Sequence, residues 1–237
     1  MKRTIFITGT DTGVGKTVLT ALLAEFLRGR GLRVAALKPV CSGGRDDARK
    51  LHAVLGGALT LDEINPWHFR APIAPVLAAR REKKTVKLAP VLAHIRAVRK
   101  NFDVVLVEGA GGLLSPLGEG FDSRDLITAL RAMPVIVASN KLGVVNQILL
   151  TLEALPKSLR VNTQVVLMVP PRPDTATGSN AGLLEKLSVT NICRLQWFGG
   201  NFSPADALQQ PQVRRTLGAI TFLGPPHVRS SRTIGRG

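Results

Sequence analysis

Thr4-Ile5-Phe6-Ile7-Thr8-Gly9-Thr10-Asp11-Thr12-Gly13-Val14-Gly15-Lys16-Thr17 joins two signatures in fourteen residues. The first half is a short apolar run with the composition of a buried strand. The second half is a glycine-rich turn ending in Gly-Lys-Thr, at the head of a helical pattern over residues 16–30. Glycines let successive backbone N–H groups converge on one point, and the helix behind them adds the positive end of its dipole. That is a cradle for phosphate. Lys16 can reach the β- and γ-phosphates of a triphosphate, and the Thr17 hydroxyl can reach its metal. Five residues separate Gly9 from Gly15, one more than the usual spacing, so the loop at residues 9–17 is a longer variant. Strand, loop and helix occur together, which favours binding of a nucleoside triphosphate, ATP with Mg2+, over a chance Gly-Lys-Thr.

Outward from this stretch, strand and helix patterns alternate. Apolar runs at residues 33–37, 104–107, 135–138 and 165–169 suit parallel strands covered on both faces. Helical patterns fall between them at residues 46–55, 89–100, 123–132 and 145–155, and Gly29 and Gly31 suit the end of the first helix. The alternation predicts an α/β fold of the P-loop NTPase type, an open, mostly parallel sheet with helices on both faces. Ligands of such a sheet bind beyond the carboxyl ends of the strands. Beyond residue 170 the pattern supports one more strand at 193–198 and one more helix at 205–217. Residues 1–224 read as a single domain, and residues 225–237 as a flexible C-terminal tail.

Composition narrows the class. Hydrophobic residues make up 45% of the 237, enough for a substantial core, and a charged fraction of 20% argues against a disordered chain. No apolar run approaches membrane-spanning length, and the N-terminal run lacks the length and cleavage site of a signal peptide. Cys41 and Cys193 form no ligand pair, and His52, His68, His94 and His227 have no metal spacing, so a zinc site is not expected. These features suit a reducing cytoplasm. The net charge of +16 is concentrated in the first hundred residues, most densely at Arg80, Arg81, Lys83, Lys84 and Lys87, with Arg96, Arg99 and Lys100 beyond. Such charge can serve an anionic partner, nucleic acid included. No recognition motif accompanies it, the chain has no tyrosine, and a solvated surface is the expectation.

Three further segments carry chemistry. Lys38, in Lys38-Pro39-Val40-Cys41-Ser42-Gly43, follows the second strand and can point into the crevice of the phosphate loop; position alone equally allows a solvated lysine. Cys41 reads as a small packing residue. Glu108 closes the third strand and precedes Gly109-Ala110-Gly111-Gly112, the placement of a magnesium carboxylate opposite a phosphate loop. Asp46 and Asp47 open the next helix, where either can cap it or offer a carboxylate to the metal.

Together these segments resemble the dethiobiotin synthetase family. The matching pieces are Thr8 to Thr17, Lys38-Pro39-Val40 with Ser42-Gly43, Asn65-Pro66 with Phe69, Pro72 and Pro75, Val107 to Gly112 with Pro116-Leu117, and Lys141-Leu142-Gly143 with Asn146. They cover roughly residues 1–155. The resemblance implies ATP-dependent carboxylation of 7,8-diaminononanoate by CO2 and ring closure to dethiobiotin, through a carbamate and a carbamic-phosphoric anhydride. It assigns Lys38, Lys16 and Thr12 to catalysis, and Ser42, Lys38 and Asn146 to the substrate. It assigns Gly13, Val14, Gly15, Lys16, Thr17, Val18, Asp47, Glu108, Gly109, Ala110 and Gly111 to the nucleotide, with Thr17, Asp47 and Glu108 sharing Mg2+. Asp47 is matched rather than Asp46 because Ala48 and Leu51 follow it suitably. A homodimer is also implied, with residues 141–147 receiving the substrate carboxylate across the interface, and no membrane or nucleic-acid partner. The asparagine that reads adenine in relatives falls here at Met168 or Val169. Two alternatives share the phosphate loop. One is a partitioning-type ATPase, whose extra lysine would fall at Thr10. The other is a cobyrinate-type amidating ligase, which normally has a glutaminase partner.

Overall fold

Five of the strands expected from sequence meet in one sheet, and a sixth, the one after residue 190, extends it. The computed structural model describes residues 2–199 and 202–221, so the tail at residues 225–237 lies outside the described residues. In chain order the first elements are β1 (Arg3–Gly9), α1 (Lys16–Arg28), β2 (Val34–Leu37), β3 (Val40–Ser42), α2 (Asp46–Leu55), α3 (Leu61–Ile64), β4 (Trp67–Phe69), α4 (Pro75–Arg81) and α5 (Leu88–Arg99). There follow β5 (Val104–Glu108), α6 (Ser123–Leu130), β6 (Met133–Ser139), α7 (Val144–Ala154), α8 (Lys157–Arg160), β7 (Gln164–Val169), α9 (Asn180–Lys186), β8 (Ile192–Gln196), α10 (Pro204–Ala207) and α11 (Pro211–Thr221).

The main sheet runs β2-β5-β1-β6-β7-β8, with every pairing parallel. Its central strands are largely apolar because both faces are covered. On β7, Val165 and Leu167 pack with Val144 and Ile148 of α7 and Leu184 of α9, while Val166 and Met168 face the main core on the other side. That period-two split is why the strand has no polar face. Leu19, Leu22, Leu23 and Leu27 make α1 the main cover of the opposite face, and all are essentially buried.

The short helices α3, α4, α8 and α9 were not expected, and three further local features differ from expectation. The first helix stops at Arg28, two residues early, because the turn through Gly29 to a left-handed Gly31 (φ 80°) already ends it. The helix expected over residues 205–217 is two helices. Pro211 has no N–H to donate and disfavours helical backbone in the residue before it, so the chain breaks there and α11 restarts with Pro211 at its head. A second, two-stranded parallel sheet of β3 and β4 was not anticipated at all, each strand being three residues long.

Register positions the strand-end residues. Leu37 pairs with Val107 and Ile7 with Glu108, so Lys38 and Glu108 stand side by side where β2 and β5 end, next to the loop that leaves β1.

Candidate active site

The phosphate loop spans from β1 to α1 over glycines in left-handed geometry, with φ 73° at Gly13 and 102° at Gly15. Gly15 is the N-cap of α1 and supplies no side-chain acceptor, so the first N–H groups of the helix stay available to an anion. Gly9 is needed for a different reason. A Cβ there would lie 2.8 Å from Val14 Cγ2 and 3.0 Å from the Asp11 carbonyl oxygen, so the loop could not fold back over it. The Lys16 ammonium donates to that same carbonyl at 2.7 Å. Burial, with the Lys38 charge nearby, lowers its pKa to about 8.

Opposite the loop sits a buried ion cluster. Lys38 Nζ lies 2.6 Å from Glu108 Oε1 and 2.7 Å from Asp47 Oδ2. Burial would lower the Lys38 pKa, but the two carboxylates outweigh it, so its pKa is raised and the ammonium is firmly charged. Asp47 shows the converse: desolvation pushes its pKa up, while the Lys38 ammonium holds it below the usual carboxylate range. Position in the sequence left Lys38 open between a solvated strand end and a site residue; it is 5% exposed, inside the cleft. The two acids opening α2 are likewise distinguished, because Asp46 turns outward to Arg49 at 2.6 Å.

The same cluster tests for a hard cation. Thr17 Oγ1 donates to Glu108 Oε1 at 2.7 Å, so that oxygen holds both the hydroxyl and the lysine. Glu108 Oε2 is buried and has no hydrogen-bond partner among the described residues. A bare carboxylate oxygen beside a second carboxylate and a hydroxyl is an all-oxygen donor set of the kind Mg2+ accepts, with waters and phosphate oxygens completing its shell. Among the described residues no group of three or more His, Cys, Asp or Glu side chains could hold a metal without such help.

These groups line one cleft of about 570 Å³, together with Thr12, Gly13, Val18, Ser42, Ala110 and Gly111. Val14 and Gly109 do not line it. Val14 is buried beneath the loop, and Gly109 packs on Ser123 and Phe6. The Ser42 hydroxyl donates to the Ile73 carbonyl at 2.5 Å, so its oxygen remains free to accept. Asn146 is exposed on α7, away from the cleft of its own chain.

Several supporting residues carried no role from sequence alone. Asn65 is fully buried, and its amide donates to the Lys38 carbonyl at 2.6 Å while its oxygen accepts from Cys41 Sγ and Arg45 Nε. It clamps the backbone of the site lysine, and β3 pairs with β4 just beyond it. Ser115 accepts from the Gly112 N–H at 2.9 Å and braces the glycine loop after β5. Trp197, after β8, closes the far end of the cleft. The Asn65-Pro66 pair was visible as a motif, but its contact with Lys38 exists only in three dimensions.

Comparison with known proteins identifies the family. A family model described as an AAA domain matches residues 3–200. ATP-dependent dethiobiotin synthetase BioD of Anaeromyxobacter sp. (strain Fw109-5) is 44% identical, covering 70% of this chain and 76% of that protein. The protein of the same name from Akkermansia muciniphila is 36% identical over 87% of this chain and 97% of its own length, and that from Bacillus subtilis 35% identical over 78% and 83%. The solved structure of Cyanthece apo McdA matches with a TM-score of 0.55 over 94% of this chain and 100% of that one at 14% identity, a likeness of fold alone. With more than a third of its aligned residues shared with these synthetases along most of its length, the chain belongs to the dethiobiotin synthetase family.

Proposed function

We propose that the chain carboxylates 7,8-diaminononanoate with CO2 and closes the ring to dethiobiotin at the expense of ATP, with each residue acting where the cleft holds it. The observation that carries the reading is Lys38, a buried and firmly charged ammonium directly facing the phosphate loop. One amine of the substrate adds to CO2 and loses a proton, giving a carbamate anion. That anion must approach a triphosphate that is itself an anion, and two fixed cations, Lys16 and Lys38, offset the repulsion. A carbamate oxygen attacks the γ-phosphorus and ADP leaves. The second amine then attacks the carbamoyl carbon of the mixed anhydride, expels phosphate and closes the cyclic urea. Thr12 and the backbone N–H groups of Gly13 to Thr17 orient the phosphates, and Val18 lines the wall behind them. Ser42 accepts from a substrate amine. Thr17, Asp47 and Glu108 would hold Mg2+, which when bound offsets charge on the β- and γ-phosphates.

The homodimer belongs to this reading. Asn146 stands outside the cleft, and exposed leucines lie beside the phosphate loop, as a site completed by a second subunit requires. Residues 1–224 then act as one cytoplasmic domain on small-molecule substrates, with nucleic acid playing no part. Among the described residues no helix is long and apolar enough to cross a membrane.

The test supplies ATP, Mg2+, bicarbonate and diaminononanoate to the purified protein and follows the cyclic urea by mass spectrometry. Lys38→Ala should retain nucleotide binding while turnover falls by orders of magnitude. Absence of product from folded, ATP-binding wild type would sink the reading, and full turnover by Lys38→Ala would remove the lysine from it.

A further inference from the structure

The two acids assigned to the metal are placed by different means. Glu108 ends β5, where the sheet register fixes it, and its side chain is fully buried. Asp47 stands in the first turn of α2, and its side chain is 45% exposed. Its position depends on where that helix begins. The chain reaches α2 from β3 through Gly43 and Gly44, both left-handed, with φ of 78° and 109°. Arg45 follows them as the N-cap. A guanidinium has no acceptor to offer the first N–H groups of a helix, so α2 starts without the usual side-chain cap.

Arg45 is anchored instead to the carboxyl end of α3. Its Nη2 donates to the Leu61 carbonyl at 2.7 Å and the Asn65 carbonyl at 3.1 Å, and its Nε donates to Asn65 Oδ1 at 3.3 Å. Asp62 pairs with the same Nη2 at 2.8 Å, but that carboxylate is open to solvent and adds little. The Arg45 side chain itself is only 16% exposed, so its bonds to the carbonyls are largely sheltered from water. Two supports of Lys38 therefore meet at one guanidinium. Asn65 grips the Lys38 carbonyl at 2.6 Å, and the start of α2 brings Asp47 to 2.7 Å from the Lys38 ammonium.

We propose that Arg45 is a positioning residue of the synthetase reaction, a strut from α3 that sets where α2 begins and so holds Asp47 in place for Lys38 and for the metal. The inference rests on the reading that Asp47 and Glu108 hold Mg2+. Mg2+ takes its ligands at about 2.1 Å in a near-ideal octahedron, so it tolerates little error in the position of a carboxylate. Glu108 is held by the sheet whatever happens to α2. Asp47 is the ligand that can drift, and Arg45 touches neither the metal nor the substrate but fixes the turn from which that ligand projects.

Equilibrium dialysis of ATP with Mg2+ and with EDTA gives the metal-linked gain in affinity, a quantity independent of turnover. Arg45→Met keeps an unbranched stem and removes every donor. The gain should fall by about tenfold or more in this variant, and kcat with it, while affinity in EDTA stays close to that of wild type. A residue that only stabilises the fold would lower the melting temperature and leave the gain unchanged. Asp47→Asn supplies the second arm. Because Arg45 acts through Asp47, the doubly substituted protein should lose no more of the gain than Asp47→Asn alone. Arg45→Lys keeps the charge and can reach a carbonyl, but it has no planar fork to take Asn65 as well. It should recover only part of the gain, and it carries the same comparison if Arg45→Met does not fold. Failure of the wild type to form dethiobiotin leaves the inference standing, because the readout is binding. An unchanged gain in folded Arg45→Met or Arg45→Lys would overturn it, including the case where ATP weakens equally with and without metal. So would losses from the Arg45 and Asp47 substitutions that multiply in the double variant, since the two residues would then act independently.

Discussion

Gly109 follows the acid that ends β5 and continues the ladder, its N–H donating to the Ile7 carbonyl at 3.0 Å. A Cβ there would lie 2.6 Å from Ser123 Oγ and 3.2 Å from the ring of Phe6, which is fully buried. The Ser123 hydroxyl is itself buried without a partner among the described residues, so removing it forfeits none of their hydrogen bonds. Gly109→Ala should therefore destabilise the protein by about 1–3 kcal/mol through overpacking. Gly109→Ala with Ser123→Ala should recover most of that loss, because the alanine at 123 keeps its Cβ and removes the clashing oxygen. Urea unfolding of the wild type and the two variants measures both changes; an undiminished loss in the double variant would move the conflict to Phe6. The site acid is involved as well. Glu108 is 1% exposed and bonded to both Lys38 and Thr17, so a shift of the neighbouring glycine displaces the carboxylate from both donors.

At the scale of elements, one exposed clasp aligns the strands that deliver Lys38 and Glu108. Arg33, before β2, donates to Asp103, before β5, through its backbone N–H at 3.0 Å and its guanidinium at 2.8 and 3.2 Å. Asp103 returns a backbone N–H to the Arg33 carbonyl at 2.8 Å, and its own carbonyl accepts from the Arg3 N–H. The guanidinium hydrogen bonds, with the Arg33 N–H, hold the Asp103 pKa down at about 2. A carboxylate depressed in the folded state contributes stability that is complete above its unfolded value, here 3.8, and is lost as pH falls toward 2. Asp103→Asn should thus melt lower than wild type at pH 7, with the difference shrinking between pH 4 and pH 2. Thermal melts across that range check it, and a gap that stays constant with pH would show that the charge is not what holds the clasp.

The elements that sequence disclosed and those it concealed differ by range of interaction. β1, β5, β6 and β7 are continuous apolar runs buried on both faces, and α2 opens on Asp46 and Asp47 and closes on a left-handed Gly56, so each carries its own signal. β3 and β4 have three residues each and exist because they pair with one another across 27 positions, which no local pattern encodes. The phosphate loop and Glu108 were legible because glycine spacing and a strand-ending acid are local features. The ion cluster was legible only in part. That Lys38 takes both Glu108 and Asp47 follows from the β2–β5 register and from the packing of α2 beside β2. The clamp by Asn65 and the wall at Trp197 come from segments far along the chain, and their roles had no local signature at all.

For the whole molecule, the surplus of positive charge and the exposed apolar residues lead to different conclusions. Much of the basic segment is engaged within the chain: Arg80 forks onto Glu119 at 2.6 and 2.8 Å, Lys84 meets Glu82, and Arg96 and Arg99 donate to backbone carbonyls. Such exposed pairs add little to stability, but they leave fewer free cations for a polyanion. The apolar residues have no such partners. Leu114 is 51% exposed and Leu150 62%, and both line a shallow groove with Thr10 and Asp11 of the phosphate loop and Gly112 of the loop after β5. Asn146 stands four residues before Leu150 on α7, on the same exposed face. If this face joins two copies, Leu150→Glu places a charge in an apolar contact with no partner and should give a monomer by light scattering. The phosphate loop and Lys38 lie within one chain, so nucleotide binding should persist in that monomer. The substrate, whose carboxylate tail is assigned to residues 141–147 of the second copy, should show a rise in KM well beyond any fall in kcat. A monomeric wild type, or a monomeric Leu150→Glu variant with unchanged KM for the diamino acid, would place the whole substrate site within a single chain and leave Asn146 without a role.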